Sequence, residues 1–151
     1  MWIDGNADMT RSRLWRRHTR PHAVVGLLPV SCWLVSLVLD FASRSAVDPA
    51  SHVRAATSLI GWGLLAAGAA AVAGFLDSLS IPAGTKTFRL AMVHFGLMTA
   101  AFFTFLTGYV LRKAEPLDQA VGVQALVVSL IGVLFLVVGV VSGVLLAHRR
   151  V

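Results

Sequence analysis

Four long apolar blocks constrain this chain more than any other feature. They run from Ala23 to Phe41, Ala55 to Leu76, Leu90 to Leu111 and Val121 to Ala147. A helix of about 20 apolar residues crosses a hydrocarbon core of about 30 Å, and each block is of that order. Backbone groups in lipid must find partners within the span, so helix is the expected form. Barrel strands alternate apolar and polar residues; these blocks do not. The connections are too short for a soluble domain, and short connections make neighbouring helices antiparallel. The expected fold is all-α: an integral membrane up-down bundle of four transmembrane helices over residues 23–151. A basic tail, residues 1–22, precedes it.

Charge placement orients the bundle. The chain has 13 Lys and Arg, 7 Asp and Glu, and a formal net charge of +6. Arg11, Arg13, Arg16, Arg17 and Arg20 lie in the tail, Lys86 and Arg89 in the second connection, Arg149 and Arg150 at the end. These nine fall on one side. Arg44, Arg54, Arg112 and Lys113 fall on the other. Cytoplasmic segments carry the excess of basic residues, so both termini are expected in the cytoplasm. Orientation accounts for the basic balance without a nucleic-acid partner. The expected location is the bacterial cytoplasmic (inner) membrane, with the lipid bilayer as the constant partner. A membrane or redox partner protein is a further expectation.

Polar residues within the blocks are few, and their depth follows from helix direction. His22 begins the first helix, Asp77 ends the second, His94 lies early in the third and His148 ends the fourth. All four fall toward the cytoplasmic end. An ionisable group at membrane depth is a functional-site hypothesis by default. Three uses suit the set. In the first, Asp77 and His94 form a structural polar pair that fixes helix packing. In the second, His94 with His22 or His148 ligates haem b, since two neutral imidazoles make axial ligands. In the third, His94, His22 and Asp77 hold a metal ion, or the groups handle protons. Asp40, near the outer end of the first helix, faces an unfavourable dipole there, so a partner is expected; Arg44 and Arg54 are its neighbours in sequence.

Other motifs are less directive. Ala66, Ala70 and Gly74 recur every fourth residue, and Gly139 and Gly143 make a GxxxG. Such spacing lets helix backbones approach closely, first within the bundle and alternatively across a homo-oligomer. The one cysteine, Cys32, excludes an intrachain disulfide and a Cys-based metal site. No nucleophile motif, Gly-rich phosphate loop or HExxH is present, so the chain is not expected to be a hydrolytic or phosphoryl-transfer enzyme. The expected role is a non-catalytic subunit or scaffold; the alternatives are a redox subunit with His94 as ligand and a proton or ion pathway component.

The string Gly74-x-x-Asp77, Ile81-Pro82-x-Gly84-Thr85, then His94, resembles the bacterial membrane proteins of domain of unknown function 2231. Asp40, His22 with Pro29, and Gly143 with His148 fit the same pattern. The resemblance covers roughly residues 20 to 151 and implies four membrane helices. Some relatives are joined to redox domains. The resemblance implies no established activity.

Overall fold

The computed structural model describes residues 25–116 and 119–148. The tail, with His18 and His22, lies outside the described residues. Four helices account for 84% of what is described, and no strand occurs among those residues. We number them α1 (Val25–Ser43), α2 (Ala50–Ser78), α3 (Lys86–Ala114) and α4 (Val123–His148). All four are long and apolar enough to cross a membrane.

The helices extend beyond the apolar blocks because their ends have their own signals. Asp48 accepts a hydrogen bond from the Ala50 amide (3.1 Å) and starts α2 about a turn before its apolar block. Thr85 caps α3: its Oγ1 accepts from the Phe88 amide at 3.0 Å and donates to the Pro82 carbonyl at 2.9 Å. Gly84 precedes it with φ of 80°, in the left-handed region that favours glycine. The segment from Pro82 to Thr85 is therefore a turn and a helix start. At 29 residues each, α2 and α3 are about 43 Å long, longer than a hydrocarbon core of about 30 Å. They tilt or project into the headgroup layers.

Apolar side chains surround each helix. On α4, Leu134, Val137 and Val141 are more than half exposed, an arrangement stable only where the solvent is lipid. The residues facing inward on α4 are Ala125, Ser129, Gly132, Leu136, Gly139 and Ser142. Their spacing of three and four residues is that of left-handed helix packing.

The core is layered along the bundle. Trp33 of α1 stacks on Phe105 of α3, with ring centroids 4.3 Å apart and planes 15° from parallel. Both are fully buried with Ile60, Ala101 and Leu136. Gly63 of α2 gives way to the Trp33 indole, and Gly132 of α4 to the Phe105 ring. The Trp33 indole N–H reaches the Ile60 carbonyl at 3.4 Å. Large rings on α1 and α3 thus fill gaps left by glycines on α2 and α4. The buried residues of α2 are Val53, Ala56, Thr57, Ile60 and Gly63; its second half, from Leu64 to Ser78, contributes none.

Candidate functional site

Among the described residues, two places along the bundle carry polar side chains bonded between helices. The first surrounds His94, near the end where α2 joins α3. The helix places this side chain toward α4, and Gly143 leaves room for the ring: a methyl there would lie 2.8 Å from Cε1 and 3.1 Å from Nδ1. His94 Nδ1 lies 2.8 Å from the Gly139 carbonyl and 3.3 Å from Ser142 Oγ. Ser142 Oγ also donates to that carbonyl at 2.7 Å. A carbonyl only accepts, so Nδ1 carries the hydrogen. In the neutral ring the lone pair then sits on Nε2.

The expected Asp77–His94 pair is not formed in this geometry. The one ion pair among the described residues joins other groups, and the bonds of His94 all run to α4. The sequence reading concerned depth and made no statement of facing. Gly61 lies against Tyr109; about four turns further along this antiparallel pair, Asp77 comes level with His94. Asp77 is half-buried, and its backbone carbonyl accepts from Ser80 Oγ at 2.8 Å. His148 is exposed and bonds its own helix at the Val144 carbonyl (2.8 Å). Among the described residues no three His, Cys, Asp or Glu side chains gather as a metal site. The haem and metal sets also include His22, outside the described residues.

Gly139 and Gly143, read as close-approach positions, are used within the chain. Gly139 abuts Met98 and Gly143 abuts His94, both on α3. Ala66, Ala70 and Gly74 are half-buried, in the half of α2 that has no fully buried residue.

The second polar place was missed by sequence reasoning. At the end where α3 joins α4, Arg112 forms an ion pair with Asp40 of α1, and both side chains are at most 1% exposed. Arg112 Nη2 also donates to Ser129 Oγ of α4 at 2.9 Å, and Nη1 to the Gly108 carbonyl at 3.1 Å. The partner of Asp40 is thus Arg112 rather than Arg44 or Arg54. One turn on, Ser43 Oγ donates to the Asp40 carbonyl (2.7 Å) and accepts from the Val121 amide (3.3 Å). Arg44 Nη1 donates to the Val121 carbonyl at 3.2 Å. These bonds tie the end of α1 to both flanks of the α3–α4 connection. A signal was present: Asp40 and Arg112 are opposite charges near the ends of two parallel spans, on one side of the membrane. Counting Arg112 only toward orientation hid it.

A family model described as predicted membrane protein (DUF2231) matches residues 20–151. No curated protein and no solved structure matches the chain.

Proposed function

The chain belongs to the DUF2231 family of predicted membrane proteins, and from that premise we propose that it is a non-catalytic subunit or scaffold of the bacterial cytoplasmic membrane, with both termini inside. The nine-to-four division of basic residues supports this orientation. One observation carries the role: the polar side chains that cross between helices are engaged in fastening them. Arg112 joins α3 to Asp40 on α1 and Ser129 on α4. His94 joins α3 to Gly139 and Ser142 on α4. Between these two levels, Thr104 and Thr107 bond back to their own helix at the carbonyls of Ala100 and Phe103. Their hydroxyl hydrogens are thereby spent on their own helix and not on a neighbouring one.

A second reading, a haem b or metal-binding redox subunit, draws on the His94 tautomer. Imidazole ligands to a metal commonly donate their other ring N–H to a carbonyl. His94 does this through Nδ1, which leaves Nε2 as the ligating atom. Its companion would be His22 or His148, and with Asp77 the same histidine would serve an ion.

A single preparation separates the two. The protein is purified in detergent without added cofactor, and visible spectra are recorded oxidised and reduced, with elemental analysis. The scaffold reading expects a colourless, metal-free protein in which His94→Ala lowers only the melting temperature. A Soret band or stoichiometric metal that disappears in His94→Ala overturns it in favour of the redox reading.

A further inference from the structure

α1 and α3 run in the same direction, and two contacts fix their register. Trp33 stacks on Phe105, and Asp40 pairs with Arg112. The partners in each pair are 72 residues apart. Pro29 and Ala101, both fully buried, keep the same separation. Toward the α2–α3 connection, the register next matches Gly26 with Met98, and then His22 with His94. Both histidines fall on inward faces. Pro29, Ser36 and Ser43 recur every seventh residue among the buried positions of α1, and His22 stands seven before Pro29. On α3, Ala101 and Gly108 are buried at the same interval, and His94 stands seven before Ala101. Seven residues are close to two helical turns and return to nearly the same face.

α2 brings a third group to this level. Its buried face, Val53, Ala56, Ile60 and Gly63, continues as Ala67, Ala70, Gly74 and Asp77, all half-buried. Asp77 lies outside the one ion pair among the described residues. His94 has its lone pair at Nε2, because Nδ1 donates to the Gly139 carbonyl. A carboxylate and an imidazole lone pair are both acceptors, so Asp77 and Nε2 cannot bond each other. A donor between them satisfies both.

We propose that His22 docks between Asp77 of α2 and His94 of α3 and bonds both. The described part of α1 begins at Val25, so the helix reaches His22 in less than one further turn. Pro21 permits this, since proline suits the first turn of a helix. An imidazolium has two N–H donors and no acceptor. One hydrogen goes to the Asp77 carboxylate, the other to His94 Nε2, and the charge of the ring balances that of Asp77. Arg20, two residues away, falls on the opposite side of the same helix. The proposal rests on the scaffold reading and adds a third fastening to it. It joins α1, α2 and α3 at the end opposite Arg112 and gives the half-buried face of α2 its cover.

The test has two arms on the full chain in lipid bilayers. Solid-state NMR of protein labelled with ¹⁵N-histidine is expected to show a nitrogen–nitrogen cross-peak between His22 and His94, at a separation of about 3 Å. The His94 Nε2 resonance is expected to shift in His22→Ala. An Nε2 resonance that is the same in wild type and His22→Ala overturns the proposal. Thermal melts of His22→Ala, Asp77→Ala and the double variant form the second arm. The double variant is expected to lose no more than the larger single loss; losses that add overturn the proposal. Either failure in a colourless, metal-free protein leaves the scaffold reading standing. A Soret band or bound metal that disappears in His22→Ala overturns both.

Discussion

At the scale of single residues, the glycines separate packing from open space. His94 is held against Gly143 by a 2.8 Å bond to the Gly139 carbonyl. A methyl on Gly143 meets a ring that cannot swing away without breaking that bond. Gly143→Ala is expected to destabilise by about 1–3 kcal/mol, the usual cost of overfilling a packed site. Gly96, on the same helix as His94, has nothing within 4 Å of an added methyl, so Gly96→Ala is expected to stay within about 0.5 kcal/mol of wild type. Thermal melts of the two variants in one detergent check this; equal losses would mean that the ring is not seated on Gly143. Trp33 offers a second contrast. Trp33→Ala removes the stack on Phe105 and empties the centre of the core, at a cost of about 3–5 kcal/mol. Trp33→Phe keeps an aromatic face over Phe105 and loses a long 3.4 Å hydrogen bond, so its loss is expected to be clearly smaller in the same melts.

At the scale of helices, position along the helix was legible and direction around the axis was not. Depth follows from counting residues through an apolar block. Direction is normally marked by a polar stripe, and a helix in lipid has none, because lipid-facing and core-facing residues are both apolar. Asp77 and His94 both lie toward the end where α2 joins α3, and His94 bonds α4. The clue that survives in lipid is size. Ala125, Gly132 and Gly139, with Ser129 and Ser142, mark the inner face of α4, and the GxxxG at its end belongs to that face. Helix ends were legible only in part: hydropathy stopped α3 at its apolar boundary, whereas Thr85 starts it earlier. The Asp40–Arg112 pair needed one further step, matching two parallel spans by length from the same membrane face.

At the scale of the molecule, four spans put the α1–α2 and α3–α4 connections on one side and the α2–α3 connection on the other. Val47 in the first connection and Ala83 in the second are exposed. With both termini cytoplasmic, Val47→Cys is expected to react with an impermeant maleimide in intact cells, and Ala83→Cys only after permeabilisation. The reverse pattern would invert the bundle. What holds the bundle at the end where α3 joins α4 is one buried ion pair bridging α1 and α3, with Ser129 of α4 as a third member. Removing one member of such a pair strands the other charge and costs about 3–5 kcal/mol, while replacing both with apolar residues is often close to neutral. The most direct measurement is a double-mutant cycle of unfolding free energies in a bilayer with Asp40→Leu, Arg112→Met and the two together. Two large single losses and a much smaller combined loss are the predicted result. Small single losses that simply add would contradict the account.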